Sequence, residues 1–506
     1  MLVIELNRAN YEYDVNSLVR AFYPGETVTI LTPESTEQRR AQTEEEIAGC
    51  EKEGSQVRIF TMELSENGAE VSMGGQEASN CQNSSEPRCF SWQYVPDGVR
   101  DELAYKHDFK RFLYQSLKDY TGKALPWGSL TGIRPTKIAY GMLDEGRSDE
   151  EILDVFCNTY QVSEQKAKLS LSIAKREREI LKNVHYEGGY SLYVGIPFCP
   201  TTCLYCSFTS YPIAGYRKVV DTYIDCLIKE MEFVSKELSG KIVDSIYIGG
   251  GTPTTLEPEQ LDRLITALKQ NFDFTTVQEF TVEAGRADSI TREKLKVLYR
   301  HGVDRISVNP QTMKQETLDI IGRKASVEQV LSAYRLAREV GFENINMDLI
   351  LGLPGELEED VQKTIDAVVA LEPDSLTVHS LAIKRASSLS KWIQENGVAT
   401  LHNTDETMEI ASAGASRMGM EPYYLYRQKN MSGNFENVGY AKPGKYGLYN
   451  ILIMEEQQTI VALGAGSITK RVWPDGRIER CDNVKDVKLY IEQIDEMIER
   501  KRKLFS

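Results

Sequence analysis

The sequence predicts an α/β protein built around six β/α units, and three observations carry that prediction. Six short apolar runs alternate with stretches of helical periodicity: Leu192–Ile196, Ser245–Ile248, Glu279–Glu283, Arg305–Val308, Asn344–Leu349 and Ser375–Val378. These runs are near-continuously apolar and do not alternate. That is the pattern of parallel strands covered on both faces by right-handed helical crossovers. Over 506 residues, 41% are apolar and 26% charged, an ordinary globular composition. The length suffices for roughly two to four domains and a sizeable core.

Taken in chain order, residues 1–185 form an accessory region. Met1–Asn7, Thr27–Thr32 and Gln56–Leu64 are rich in β-branched residues and read as strands. Around 66–87, Asn-Gly, Gly-Gly and serine-rich sequence without periodicity reads as a flexible surface insertion. From Asp97 to Lys182 the apolar spacing is helical, broken near Pro126–Gly128 and at Gly132–Pro135, with Pro135 suited to a first helical turn. Residues 186–388 hold the six units, with helices expected over Tyr216–Leu238, Pro258–Gln270, Thr291–Arg300, Val327–Val340 and Leu357–Ala370. Six such units close partway into a barrel or lie open as a doubly wound sheet. Either way ligands belong beyond the C-terminal strand ends. Residues 389–506 read as a smaller appended α/β region. It has a helix over Asp405–Gly419, strands at Tyr423–Tyr426 and Asn450–Met454, and a charged terminal helix over Val484–Phe505.

Charge and segment patterns narrow the function classes. Lys plus Arg number 59 against 75 Asp plus Glu, a net charge of −16. An acidic surface repels phosphate backbones and anionic lipid, which argues against nucleic-acid and membrane partners. No apolar run approaches the ~18 residues of a membrane span. Met1–Glu5 lacks a basic n-region and does not read as a signal peptide, so a cytoplasmic location is expected.

Nine cysteines without an export signal point to metal or redox work, not disulfides. Three cluster as Cys199-Pro-Thr-Thr-Cys203-Leu-Tyr-Cys206, directly after the first strand of the series. Cys50, Cys81, Cys89, Cys157, Cys226 and Cys481 are scattered and are given no role. Zinc wants four ligands, usually as two pairs, and the nearest further candidates, His185 and Cys226, form no second pair. Cys203-Leu-Tyr-Cys206 is formally a thioredoxin-like dithiol, against which Cys199 and the order of elements both count. A four-iron cluster on three cysteines leaves one iron open, so the missing fourth ligand becomes functional.

C-x3-C-x-Tyr-C after a strand that opens a six-unit β/α series resembles the radical S-adenosylmethionine enzymes. The fuller Tyr193-x-x-Ile-Pro-Phe-Cys199 resembles the oxygen-independent coproporphyrinogen III oxidase family, with its HemN, HemW and HemZ types. The resemblance covers about Ser191 to Ser506 and implies a partial parallel (β/α)6 barrel. It further implies a [4Fe–4S] cluster on Cys199, Cys203 and Cys206. The open iron of that cluster is chelated by S-adenosylmethionine, whose reductive cleavage gives a 5′-deoxyadenosyl radical.

By the same resemblance, cofactor-binding residues are carried over one by one. Gly250, Gly251 and Thr252 lie in Ile248-Gly-Gly-Gly-Thr-Pro253, and Glu283 ends Phe-Thr-Val-Glu as a ribose ligand. Gln311 follows strand four, Arg323 closes Ile-Ile-Gly-Arg, Asp348 stands in Asn-Met-Asp-Leu, and Ala382 offers a backbone contact. Tyr193 takes the aromatic position beside the cofactor. No side-chain catalytic residue is expected, because the cofactors carry the hard step. His379, ending strand six, reads as a core histidine.

The chain is closest to the HemZ-type members in length, in Trp127-Gly-Ser-Leu-Thr-Gly-Ile-Arg-Pro-Thr-Lys-Ile138, and in Tyr426–Asn430 and Asn437–Ala441. It departs from HemN at Phe208, where that type has a further cysteine, and at Gly195, where it has histidine. It departs from the haem-carrying HemW type because its one His-Asn pair, His402-Asn403, lacks the Tyr-Trp that follows there. The resemblance therefore implies conversion of coproporphyrinogen III propionates to vinyls in haem biosynthesis. Another tetrapyrrole reaction, such as haem degradation, and a HemW-like haem carrier are the alternatives. Implied partners are a tetrapyrrole, a one-electron donor to the cluster and an electron acceptor that the sequence does not name. Among cations suited to propionates, Arg134, Arg323 and Arg427 are candidates.

Overall fold

The structure, a computed structural model, describes all residues except 53–54, 75–86, 96–100, 133, 385–386, 398–399 and 429–430. The chain divides into two compact units, Met1–Pro135 with Gly141–Leu171, and Thr136–Tyr140 with Ser172–Ser506.

The first unit is built on strands β1 (Leu2–Leu6), β2 (Val28–Leu31), β3 (Arg58–Ser65), β4 (Gly68–Gly74) and β5 (Arg88–Gln93), in the order β2-β1-β3-β4-β5. The first three pair parallel and the last two antiparallel. Their apolar faces pack with the helices Glu12–Phe22 and Glu102–Thr121 around Tyr11, Phe22, Phe60, Tyr105 and Phe109. The longer helix is capped by Asp101, whose side chain accepts from the Leu103 N–H, and ends at Gly122 in left-handed conformation. The surface insertion expected near 66–87 needs correction at its start. Ser65 pairs with Gly68, so Glu66-Asn67 closes a tight hairpin and Gly68–Gly74 is a strand with mostly inward alternation. Residues 75–86 of that segment lie outside the described residues.

The second unit carries β6 (Gly189–Ile196), β7 (Phe198–Cys199), β8 (Tyr211–Pro212), β9 (Ile242–Gly250), β10 (Glu279–Glu283), β11 (Arg305–Ser307), β12 (Ile345–Leu351) and β13 (Ser375–Ser380). Six of these, β6 and β9 to β13, pair parallel in sequence order, as predicted. The helices between them include Val220–Glu237, Pro258–Asn271, Arg292–Arg300, Val327–Val340 and Glu358–Val369. Their N-termini show the signals that end the loops: Thr291 and Ser326 accept from backbone N–H groups, and Pro258 opens its helix.

Residues beyond 389 do not build a sheet of their own. Strands β14 (Glu421–Tyr426) and β15 (Asn437–Ala441) add to the β13 edge, and β16 (Thr459–Leu463), β17 (Ile468–Val472) and β18 (Ile478–Asp482) add to the β6 edge. The result is an eleven-stranded sheet ending at β14 and β18, a partial barrel and not a closed one. Two sequence expectations fail here. Asn450–Met454 is not a strand but part of a helix, Leu448–Glu455, in which Leu448, Tyr449, Ile451 and Leu452 are all buried. A short run that is apolar all round carries no period to separate a buried strand from a buried helix. The terminal helix is interrupted at Gln493, giving Val487–Glu492 and Ile494–Phe505.

A buried polar knot ties this terminal helix to the first crossover helix. Lys501 and Glu230 are both fully buried and paired at 2.7 Å. Glu230 also accepts from the Tyr490 hydroxyl at 2.6 Å, the Gly464 N–H at 2.9 Å and the Asn483 amide at 2.8 Å. Removing one partner of such a pair leaves a charge buried alone. Lys501→Met is therefore expected to lower unfolding free energy by about 3–5 kcal/mol in urea denaturation. A loss below about 1 kcal/mol would place the pair in water.

Candidate active site

The six parallel strands end at one cavity of about 480 Å³, and every site residue expected from the sequence lines it: Tyr193, Cys199, Cys203, Cys206, Gly250, Gly251, Thr252, Glu283, Gln311, Arg323, Asp348 and Ala382. A second cavity of about 440 Å³, bounded by Gln278, Glu279, Asp304 and Asn344, sits at the opposite strand ends and contains none of them.

The cysteine loop is held from several sides. After β6, the chain pairs β7 with β8 in parallel, which closes the loop between Cys199 and Tyr211. Inside it, Leu204 donates its N–H to Ile321 O at 3.0 Å and accepts from the Leu389 N–H at 3.0 Å. Leu204 and Tyr205 pack against Leu318, Ile321, Leu381 and Leu389. Arg286, itself buried, donates to Thr201 O at 3.2 Å, to the Thr201 hydroxyl at 3.0 Å and to Cys203 Sγ at 3.5 Å, while gripping Asp288 with two bonds of 3.0 and 2.8 Å. The fork geometry of arginine makes it a brace for this loop.

The glycine turn after β9 presses directly on the same loop. Gly251 N–H donates to Ile196 O at 2.8 Å and Thr252 N–H to Phe198 O at 2.7 Å. A Cβ on Gly251 would stand 2.6 Å from Phe198 O and 3.0 Å from Cys199 Sγ, so only glycine permits this approach. Gly250 adopts φ +109°, also glycine territory. The Thr252 hydroxyl donates to Cys199 Sγ at 3.5 Å. This turn shapes the cysteine loop as well as the cavity wall.

At the next strand ends, Glu283 accepts from the Tyr247 hydroxyl at 2.6 Å. Burial pushes its carboxyl up to about 7, helped by Asp348 and opposed by the bonds from Tyr247 and the Gly250 N–H. Tyr193, Tyr247 and Tyr449 stack with near-parallel rings, Tyr247 and Tyr449 at 4.6 Å between centroids. Gln311 sits at φ +68°, a strained setting for a non-glycine residue, held by Gln311 N–H to Asp348 O at 3.0 Å and Ile350 N–H to Gln311 O at 3.0 Å. Asp348 accepts from the Asn346 amide at 2.6 Å. Arg323 donates to Gly285 O, Asn309 O and the Tyr205 hydroxyl, which straps the cysteine loop to strands β10 and β11. Ala382 bridges to Met431 across the rim.

Several wall atoms are buried without a hydrogen-bond partner, among them Gln311 Oε1, Asn309 Oδ1, Ser307 Oγ and Arg323 Nε. Such orphans are costly unless a ligand completes them. Three thiols, a glycine cradle and these open polar atoms therefore fit a sulfur-bound cluster beside a polar small molecule. The thiols are not gathered as a single ion would gather them. Among the described residues, no three His, Cys, Asp or Glu side chains are placed to hold one metal ion. A cluster several atoms across keeps its thiolates further apart than one ion does.

Some wall residues had not been singled out from the sequence. Arg286, Tyr247, Tyr449, Asn309 and Lys384 all line the cavity. Tyr247 was in reach, since it lies in the predicted strand two residues before the glycine run. Tyr449 carried no signal, standing just before a stretch read as a strand. His379, read as a core residue, is only half-buried and lines the cavity, 3.4 Å from the Tyr426 hydroxyl and 4.0 Å from Asp348. Burial holds its imidazole below the usual range, in the neutral form. Of the arginines considered for propionates, Arg323 is in the wall and Arg134 and Arg427 are not.

Residues 193–368 match the model of the radical SAM superfamily. The chain is 39% identical over 453 residues to the oxygen-independent coproporphyrinogen-III oxidase-like protein HemZ of Bacillus subtilis, covering 88% of this chain and 89% of the relative. It is 33% identical over 312 residues to the haem chaperone HemW of the same organism, covering 60% and 76%. Among solved structures it is similar to coproporphyrinogen III oxidase (HemN) from Escherichia coli, a radical SAM enzyme. That match has 25% identity and a TM-score of 0.50, and covers 64% of this chain and 73% of the other. No helix among the described residues is long and apolar enough to cross a membrane.

Proposed function

This chain belongs to the radical SAM superfamily, in its oxygen-independent coproporphyrinogen-III oxidase-like branch with a [4Fe–4S] cluster and S-adenosylmethionine as cofactors, and we propose that its reaction is the oxidative decarboxylation of coproporphyrinogen III propionates. Each of two propionates would lose one hydrogen atom, carbon dioxide and one electron, leaving a vinyl group and passing the electron to an acceptor. When bound, the cluster and S-adenosylmethionine supply the radical that abstracts the hydrogen atom.

The protein's own residues then have three tasks. Cys199, Cys203 and Cys206 would hold the cluster, on a loop that Arg286, Arg323 and the glycine turn keep in place. Tyr193, Gly250, Gly251, Thr252, Glu283, Gln311, Arg323, Asp348 and Ala382 would surround S-adenosylmethionine, with Glu283 accepting from its ribose hydroxyls and the open Gln311 Oε1 accepting a further hydrogen bond from it. The stacked Tyr193, Tyr247 and Tyr449 would give the cofactor an apolar wall. The observation that carries this reading is the convergence of three thiols, the glycine turn and unsatisfied polar atoms in one cavity. The HemZ-like similarity across most of the chain supports this choice of substrate.

The test is anaerobic cluster reconstitution, addition of S-adenosylmethionine, reductant and coproporphyrinogen III, and mass spectrometry of the products. Loss of two carbon dioxide units together with 5′-deoxyadenosine supports the reading. Formation of 5′-deoxyadenosine with untouched porphyrinogen overturns the substrate. The haem-carrier reading, motivated by the HemW similarity, predicts instead a Soret shift on titration with haem. His402 does not favour that alternative, since its Nε2 is engaged by Glu358 at 2.6 Å and it lies outside the cavity wall.

A further inference from the structure

Among the described residues, four cations line the cavity: Arg286, Arg305, Arg323 and Lys384. Three are already engaged. Arg286 is gripped by Asp288 and Thr201. Arg323 is spent on two main-chain carbonyls and the Tyr205 hydroxyl. Arg305 is almost fully buried, bonded to the Ser375 hydroxyl at 3.1 Å and set near the Glu279 carboxylate. Lys384 differs. No carboxylate among the described residues forms an ion pair with it; it faces the Cys206 thiol and the Phe208 ring, its ammonium standing 5.3 Å from the ring centroid. Phe208 lines the same cavity yet is 69% exposed, in the loop just past Cys206.

An ammonium with no carboxylate partner beside an exposed aromatic face suits a ligand with two matching parts, an anionic arm and a flat apolar ring. Lysine offers a point charge to a carboxylate, and a phenyl face offers stacking area to a pyrrole. We propose that Lys384 and Phe208 form the subsite for one propionate arm of the tetrapyrrole, Lys384 pairing with the carboxylate and Phe208 packing on the pyrrole that bears it. This rests on the tetrapyrrole reading above. The subsite selects by charge, so it prefers a free acid over an ester of the same ring.

Coproporphyrin III and its tetramethyl ester are the probes, with binding followed by porphyrin fluorescence on the wild type, Lys384→Gln, Lys384→Arg and Phe208→Ala. Wild type is expected to prefer the free acid. Lys384→Gln weakens acid binding about tenfold and leaves ester binding within about twofold, erasing the preference, while Lys384→Arg restores it. Phe208→Ala weakens acid and ester alike, since both need the ring contact. Equal acid binding by wild type and Lys384→Gln overturns the subsite. So does a Lys384→Gln defect that falls equally on the ester, or that falls on S-adenosylmethionine binding instead. If wild type binds neither porphyrin, the tetrapyrrole reading itself fails, a result distinct from loss of acid selectivity alone.

Discussion

Replacing Cys199 by alanine is expected to abolish S-adenosylmethionine cleavage and to cut the iron retained after reconstitution. Cys199 opens the loop at the end of β6, with its sulfur against the Gly251 backbone and 3.5 Å from the Thr252 hydroxyl. Cys199 pairs into the short β7 strand at the strand ends, so alanine there removes one of the three proposed cluster ligands. The measurement is 5′-deoxyadenosine formed per chain under dithionite, alongside iron and the cluster's visible absorption. Turnover below about a thousandth of wild type corresponds to about 4 kcal/mol of lost transition-state stabilisation. Cys226→Ala is the control, because that thiol sits on the crossover helix 3.9 Å from Ile491 O and away from the cavity. Retained cleavage in the Cys199 variant would remove the cluster assignment and everything built on it.

The core of the fold was legible because its determinants are local. Strands β6 and β9 to β13 are apolar runs bounded by glycine, proline and charged helix starts, and each lies within three residues of its predicted bounds at either end. The cavity was legible for a related reason. Parallel β/α units place every strand's C-terminal end on one side, so residues 189 positions apart, Tyr193 and Ala382, were expected at one site and are found there. The edges were not legible. Thr459–Leu463 joins the sheet beside β6 through a pairing some 270 residues distant in sequence, which no local pattern announces, and Ile468–Val472 then pairs antiparallel with it. Leu448–Glu455 misled because burial on every side erases the period. The hairpin at Glu66-Asn67 was missed because its Asn-Gly signal was merged with the serine-rich stretch that follows. Electrostatic roles were the least visible of all. Arg286 reads as an ordinary loop arginine until the fold sets it against Cys203 and Asp288.

Glu283 is expected to make S-adenosylmethionine binding pH-dependent around neutrality, and Glu283→Gln to remove that dependence. The groups facing its carboxyl are the Tyr247 hydroxyl, the Gly250 N–H, Asp348 and, further off, Arg305. Burial dominates and places its titration at about 7 instead of 4.5. Only the ionised form accepts from both ribose hydroxyls, so the proposed contact is complete above pH 8 and is lost as pH falls through 7. The dissociation constant of the wild type is then flat above pH 8 and climbs toward tenfold per unit below 7, whereas Glu283→Gln binds weakly at pH 8 with no such slope. The stability of the ligand-free protein should move the opposite way. A carboxyl raised in the folded state favours folding when protonated. Its contribution is fully present below pH 4.5 and falls away as pH rises to 7, a change of roughly 3 kcal/mol from this group alone. Equilibrium dialysis of S-adenosylmethionine between pH 6 and 8.5, paired with urea unfolding of the ligand-free chain over pH 5 to 8, measures both arms. A pH-independent affinity in the wild type would take Glu283 out of the binding site. A binding slope without the opposing stability slope would keep it there but place its carboxyl in water.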